Sequence, residues 1–307
     1  MFFSTNLLDE IFEIRNNNTW KSYLWSVFSF MVNFPLEIFC FLKLQLYLYF
    51  ITQPKYRISS NLLESTLTKE TPSTLTSNSS ETKVLSWNIQ FGNGTWQFNN
   101  LVKSIDFMRD MNLDIILLQE VLVTDGLDQV DIIKKCLGLT HHIYYPNFAD
   151  ENIKMGNVVF SRFPITSVYE DSTFQIVKLK LDTTGKYSNQ DLYCINVHLK
   201  SDLLCQKQKN KIKKIIQKIK NIKSETESNH ITTRVIMAGD FNLLTWCENL
   251  KILEKEINLV PNNEYTYPSN YPLVKYDYAF QLGLEDNIKL EVMQTTLSDH
   301  LPLLIKI

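Results

Sequence analysis

A chain of 307 residues with a net charge of −2, 44% hydrophobic and 21% charged, has enough apolar material for one large globular domain or two smaller ones. That composition excludes a disordered chain, and the near-neutral charge excludes recruitment of nucleic acid by a global basic field, though not by a local groove. The five cysteines (Cys40, Cys136, Cys194, Cys205, Cys247) are scattered with no Cys-x-x-Cys pair, which argues against a cysteine metal site and for reduced thiols in a reducing compartment.

Residues 1–57 read as a hydrophobic amino-terminal segment. From Trp20 to Ile51 the chain is strongly apolar and aromatic, but the longest uncharged run, Ser22–Leu36, has 15 residues and contains Asn33 and Pro35. A spanning helix needs about 17–25. The first charges, Asp9 and Glu10, are acidic, and no small-residue cleavage site follows, so a signal peptide is not expected. Three readings stay open: an interfacial membrane-binding segment, a pair of short membrane-inserted helices, or a hydrophobic hairpin packed on the main domain. Lys21, Lys55, Arg57 and the many rings favour contact with a membrane surface through residues 20–51. The expected location is cytoplasmic or membrane-associated. Residues 58–82, rich in Ser and Thr with Pro72, bury too little surface to offset their ordering entropy and read as a linker.

A regular α/β pattern begins at Lys83 and runs to residue 307. Val84–Phe91 alternates like a strand and stops at Gly92-Asn93-Gly94. Gln97–Met111 has helical spacing through Phe98, Leu101, Ile105 and Met108. Asp114–Gln119 is a buried strand and Leu127–Leu137 a helix. Asn157–Phe160, Phe174–Leu181 and Leu192–Leu199 are strands. Leu203–Lys223 is a Lys-rich amphipathic helix whose basic face reads as solvated. Val235–Asp240 is an apolar strand that ends in Gly239-Asp240-Phe241-Asn242. Leu243–Ile257 is a helix, and Tyr276–Phe280, Ile288–Gln294 and Leu301–Ile307 close the chain as strands.

Unusual polar residues fall at these strands: Asn88, Glu120, His198, Asp240, Asn242 and Asp277 on or just after one, and Asp299 and His300 just before the last. A buried carboxylate or imidazole is costly unless paired or bound to a cation, so their coincidence points to one shared site. Asn88, Glu120 and Asp299 offer hard oxygen ligands, which suit Mg²⁺ or Mn²⁺ rather than Zn²⁺. His198 and His300 can donate hydrogen bonds to a phosphate or protonate a leaving oxygen. Asp277 can orient one imidazole, Asp240 can align an attacking water, and the Asn242 amide can donate to a phosphate oxygen. No Ser, Cys or Lys stands beside a base as a nucleophile, so direct in-line attack by water on phosphorus fits better than a covalent intermediate.

Seven motifs, spread over Lys83 to Ile307, resemble those of the endonuclease/exonuclease/phosphatase superfamily, the deoxyribonuclease-I-like metal-dependent phosphodiesterases. They are Ser86-Trp87-Asn88-Ile89-Gln90, Leu117-Leu118-Gln119-Glu120, Gly156–Pro164, Asn196-Val197-His198-Leu199, Gly239-Asp240-Phe241-Asn242, Tyr276-Asp277-Tyr278 and Ser298-Asp299-His300. The resemblance implies a four-layer α/β sandwich, two mixed β-sheets face to face with helices outside, and a site at one rim. It also implies Glu120 as the principal Mg²⁺ ligand, His300 paired with Asp277, and a phosphate-ester substrate, either nucleic acid or a phospholipid head group, handled by a monomer. Gln90 stands where some nuclease members carry an acidic second ligand, which favours one-metal chemistry. Leu243-Leu244 after Asn242, the absence of Cys-Asp-Arg at Tyr276–Phe280, and Leu273-Val274-Lys275 depart from the inositol-polyphosphate phosphatase and abasic-endonuclease patterns. The chain looks closest to small bacterial-type members of unassigned substrate. The competing reading is a catalytically inactive, membrane-recruited binding module of the same fold.

Overall fold

The computed structural model describes residues 81–93, 100–181, 190–201, 208–230, 232–284 and 288–307. The expected amino-terminal segment and nearly all of the linker lie outside them. Two sheets carry the architecture. The first has the order β12-β13-β1-β2-β5-β4, with β3 beside β2, and the second β10-β11-β9-β8-β7-β6. In chain order the strands are β1 Lys83–Asn88, β2 Ile115–Thr124, β3 Leu127–Asp128, β4 His141–Ala149, β5 Ile153–Ser161, β6 Ile165–Asp171 and β7 Phe174–Lys180. There follow β8 Asp191–His198, β9 Val235–Asp240, β10 Asn258–Leu259, β11 Asp277–Leu282, β12 Lys289–Val292 and β13 Leu303–Lys306. Within each sheet one central pair is parallel, β1 with β2 and β8 with β9, and the remaining pairs are antiparallel. The expected class, two mixed sheets flanked by helices, is the one observed.

Strand alternation explains how the layers form, because successive side chains leave a strand on opposite faces. In β1 and β2, Val84, Ile115 and Leu117 face the second sheet, where they meet Val177, Leu179, Cys194, Ile236, Ala238 and Ala279. Leu85, Trp87, Ile116 and Leu118 face the other way, onto two helices, α1 (Leu101–Asp110) and α2 (Gln129–Leu137). The helices supply Leu101, Ile105 and Met108, and Val130, Ile133 and Leu137, at the spacing of one helical face. Asp128 caps α2 by accepting the Asp131 N–H at 2.9 Å, and Gly138, at φ 64°, ends it. The remaining helices, α3 (Lys209–Ser228) and α4 (Glu248–Glu254), bury Ile212, Ile215, Ile219, Leu250 and Leu253. Among the described residues no helix is long and apolar enough to cross a membrane.

Several expected boundaries are corrected. The helix read over Leu243–Ile257 is confined to Glu248–Glu254, because Asn242 turns the chain at φ 48° and the Leu243 carbonyl accepts the Tyr278 hydroxyl instead of starting a helix. Strand β2 runs five residues past Gln119, continuing through a bulge. The expectation of reduced thiols holds for Cys136 and Cys194, which are free and buried, but Cys247 is disulfide-bonded. A disulfide depends on the approach of two Cα atoms, which sequence spacing does not report.

The β6–β7 turn fastens α3 to the end of β8. Asp171 accepts from the Thr173 backbone and hydroxyl and from two ammonium groups, Lys211 at 2.9 Å and Lys214 at 2.6 Å. The Thr173 carbonyl in turn receives the His198 N–H at 2.8 Å. Burial opposes charge on Asp171, but Lys214, Lys211 and the Thr173 hydroxyl together outweigh it and hold the carboxyl well below the usual range. A depressed carboxyl pKa stabilises the fold above the unfolded value of about 3.9, and the benefit is lost as pH falls through the folded value. Asp171→Asn should therefore lower stability at pH 7 by about 1–2 kcal/mol, the part-exposed lysines being screened by solvent. The gap to the wild-type chain should narrow at pH values under the unfolded pKa. Thermal melts of both proteins at neutral and acid pH check this, and an equal gap at both would contradict it.

Candidate active site

The two parallel strand pairs put their carboxyl ends at the same rim. Asn88 ends β1 in register with Gln119 of β2, and His198 ends β8 in register with Asp240 of β9. Antiparallel β11 starts there, with Asp277 opposite Asp240. Gly239 makes the β8–β9 approach possible. Its φ is +154°, and a Cβ there would lie 1.9 Å from the Val197 carbonyl oxygen. Glu120 was expected at a strand end. It sits instead at the bulge where β2 slips against β5 between Leu118 and Val121, with φ 56°. Bulges re-aim side chains, and this one gives Glu120 a direction that regular pleating would not. Gln90 and Asn242 also have positive φ, so three residues at or beside the site hold a backbone conformation that costs about 1–3 kcal/mol each.

Hydrogen bonds tie the set together. The Asn88 amide nitrogen donates to Glu120 Oε1 at 3.1 Å and to Asp240 Oδ2 at 3.2 Å. His198 Nε2 lies 3.7 Å from Glu120 Oε1 and 3.9 Å from Asp240 Oδ2. His300 Nε2 is 3.6 Å from the same Asp240 oxygen, and its Nδ1 is bonded to Asp277 Oδ2 at 2.9 Å. The Ser298–His300 turn is clamped to β1. Ser298 Oγ donates to the Asn88 carbonyl at 2.6 Å, and Trp87 Nε1 donates to the His300 carbonyl at 2.9 Å. Asp299 meets the set through Gln90, whose amide donates to its carboxylate and whose N–H donates to Asn88 Oδ1 at 3.0 Å.

Charge is concentrated in this cluster. Burial pulls against charge on His300, yet Asp277, Asp240 and the Asp277 hydrogen bond outweigh it and raise its pKa well above an ordinary imidazole. Burial lowers His198 despite Asp240, with His300 adding to the fall. Burial raises Asp240 against His300, and Asp277 pushes the same way as burial. The two imidazoles thus differ in readiness to carry a proton, as acid–base partners do.

The structure brings together Asn88, Glu120, His198, Asp240, Asp277 and His300, with Asp299 one residue from His300 and joined through Gln90. Asn242 is placed differently from expectation. It packs beneath the rim, with its N–H bonded to Asp240 Oδ1 and its amide nitrogen donating to the Leu199 carbonyl, both at 2.9 Å. The amide thereby orients Asp240 and the β8 exit. Three residues that the sequence motifs contain, but to which no supporting role was assigned, hold the set in place. Gln90 links Asp299 to Asn88. Gln119 donates to Asn196 Oδ1 at 2.7 Å, and Asn196 donates to the Leu118 and Val158 carbonyls, so a fully buried amide seam locks the two sheets beneath the site. Two amides within otherwise apolar strands were the available signal.

The residues fit a hard divalent cation. Among the described residues neither Asp240 nor Asp277 is paired with a lysine or arginine; their neighbours are the Asn88 amide nitrogen and the His198 and His300 imidazoles, which leaves carboxylate oxygens for a cation. One carboxylate oxygen each from Asp240 and Asp277 and one His300 nitrogen lie within 4.8 Å of one another.

The sequence pattern of the endonuclease/exonuclease/phosphatase family matches residues 85–280, which span every site residue from Asn88 to Asp277. The chain belongs to the endonuclease/exonuclease/phosphatase family. Membership places it among hydrolases of phosphoester bonds. Solved structures of this fold include an endonuclease/exonuclease/phosphatase from Beutenbergia cavernae, 17% identical with a TM-score of 0.56, covering 74% of this chain and 71% of that one. TDP2 from Caenorhabditis elegans is 17% identical with a TM-score of 0.57, covering 74% of each chain. The human Nocturnin catalytic domain with bound sulfate is 18% identical with a TM-score of 0.56, covering 74% of this chain and 92% of that one. No curated protein matches the chain.

Proposed function

We propose that this family member hydrolyses a phosphodiester by in-line attack of water, with Mg²⁺ (Mn²⁺ as substitute) held by Glu120 together with Asn88 and Asp299. The observation that carries the reading is the convergence of Glu120, Asp240 and two histidines, with Asn88 bonded to both carboxylates. A bound cation supplies Lewis-acid polarisation of a phosphoryl oxygen. The Asn88 amide turns its nitrogen to two carboxylates, and its Oδ1, which accepts the Gln90 N–H at 3.0 Å, keeps a second lone pair that can serve a cation. His300 is already hydrogen-bonded to Asp277 and serves better as a proton-handling group than as a ligand. Asp277 fixes the proton on Nδ1, leaving the Nε2 proton to bond the phosphoryl group and to pass to the leaving oxygen as its bond to phosphorus breaks. Asp240, next to Nε2, aligns the attacking water and draws its proton. His198, whose Nε2 lies near both Glu120 and Asp240, donates to the phosphate, and Asn242 holds Asp240 in place.

The set of side chains is complete, which argues against an inactive binding module. The test is turnover of bis(p-nitrophenyl) phosphate by the full chain with Mg²⁺, which a chelator should abolish. No turnover at any metal concentration would return the binding-module reading. The Asp277–His300 pairing has its own check. Asp277→Asn should lower kcat about tenfold and have little further effect in a His300→Ala background, because the two act as one unit. Its Mg²⁺ requirement should stay at the wild-type level. Additive losses would contradict the pairing, and a raised Mg²⁺ requirement would move the cation to the Asp240–Asp277–His300 group.

A further inference from the structure

One buried amide beside the site has a donor that the fold leaves unused. Asn157 of β5 is fully buried, and its Oδ1 accepts from Asn147 Nδ2 of β4 at 3.2 Å. Its Nδ2 is also buried and has no hydrogen-bond partner among the described residues. An unpaired buried N–H forfeits its hydration and gains no bond in exchange, so each one in a native core calls for an explanation. The amides of the seam beneath the site show the contrast. Asn196 Nδ2 donates to the Leu118 and Val158 carbonyls, and Gln119 Nε2 donates to Asn196 Oδ1. An apolar side chain of similar size would occupy position 157 without an unpaired group.

What sets Asn157 apart from the other unpaired buried groups is its place. Strand β5 runs between two irregular neighbours. On one side β2 slips between Leu118, opposite Val158, and Val121, opposite Gly156, so Asn157 stands across from the bulge that carries Glu120. On the other side β4 slips between Pro146 and Phe148, and the residue at that slip is Asn147. Bulges turn side chains out of the regular pleat and gather beside active sites. Alternation gives the face. Val159 packs into the core between the sheets, and Asn157, two residues earlier, leaves β5 on the same side. Across that layer Asn196 bonds the Val158 carbonyl, and His198, two residues on, shares the Asn196 face. Both steps lead toward the rim, so Asn157 and His198 reach it from facing sheets. His198 Nε2 lies 3.7 Å from Glu120 Oε1, which puts the unused N–H at the corner of the site that holds this imidazole and this carboxylate. An N–H fixed there in advance repels a cation and suits an anionic oxygen, here that of a phosphoryl group.

We infer that Asn157 Nδ2 donates to a non-bridging phosphoryl oxygen as negative charge builds on it, and that Asn147 is a positioning residue that fixes the amide through Oδ1. This rests on the phosphodiester chemistry proposed above. Two measurements on the full chain with Mg²⁺ test it. One is the kinetics of bis(p-nitrophenyl) phosphate hydrolysis. The other is calorimetric titration with orthovanadate, whose five-coordinate form imitates the transition state and whose binding needs no turnover. Asn157→Leu should lower kcat about 10²-fold with KM changing little, and should weaken vanadate binding by a similar factor. The melting temperature and the half-saturating Mg²⁺ concentration should stay at the wild-type level. Asn147→Leu should cost less, and should add nothing in an Asn157→Leu background, because it acts only through that amide. Asn157→Ala serves the same comparison if the leucine side chain is not accommodated. Unchanged kcat in a chain with Mg²⁺-dependent wild-type turnover overturns the inference and spares the chemistry. A loss that comes with a raised Mg²⁺ requirement also overturns it, because Asn157 would then be a structural support of Glu120. No wild-type turnover, together with vanadate binding that Asn157→Leu weakens, would sink the chemistry and keep the oxyanion contact. A chain that neither turns over nor binds vanadate contradicts both.

Discussion

Glu120→Gln is expected to abolish turnover at ordinary Mg²⁺ while leaving the fold intact. The substitution keeps the shape of the side chain and an oxygen for the Asn88 amide, so the hydrogen bond at 3.1 Å survives. What it removes is the charge, and the affinity of a hard cation follows the charge of its ligands. The bulge makes the effect specific to this position. Glu120 holds a left-handed backbone that ordinary strand residues avoid, and nothing in the packing of β2 requires it, since Leu118 and Val121 on either side are already fully buried. Kinetics across a Mg²⁺ titration, with circular dichroism as the control for folding, measure this. Wild-type turnover with unchanged Mg²⁺ dependence would show that Glu120 is not the ligand.

The second large effect belongs to Asp240 and His300. Both are nearly inaccessible to solvent, and they face each other at 3.6 Å. Asp240→Asn and His300→Ala should each lower kcat by about 10²–10⁴, the usual loss when a general acid or base is removed, with KM changing little. Asp240→Asn retains an oxygen for the Asn242 N–H and is the cleaner of the two. His300→Ala leaves Asp277 buried without its imidazole, so its melting temperature has to be measured alongside. A rise in KM with kcat preserved would make these residues binding groups.

Much of the fold was legible because central strands bury both faces and therefore read as continuous apolar runs, as in Ile115–Leu118 and Val235–Ala238. Edge strands lack that signature. β4 begins His141-His142 and contains Pro146, and most of its residues are only half-buried; β6 carries Thr166, Ser167 and Glu170 on exposed positions. Neither has the alternation that marks a strand with one buried face. The site was legible residue by residue because each polar group interrupts or ends such a run. Its geometry was not. The bulge at Glu120, the inward turn of Asn242 and the part played by Gln90 depend on backbone dihedrals and on contacts between residues as far apart as Gln90 and Asp299. The segment bridged from Tyr267 to Val274 has a sequence trace, two tyrosines spaced among Pro, Ser and Asn, but only the fold places the Tyr267 ring against His300.

The central claim is metal-dependent hydrolysis of a phosphoester, and one panel tests it most directly. The full chain is assayed with Mg²⁺, and again with excess chelator, on single- and double-stranded DNA, RNA, phosphoinositides and sphingomyelin. The account predicts Mg²⁺-dependent cleavage of at least one phosphoester in the panel, lost with chelator. Turnover that persists in chelator, or no cleavage of any substrate by the folded chain, would contradict it.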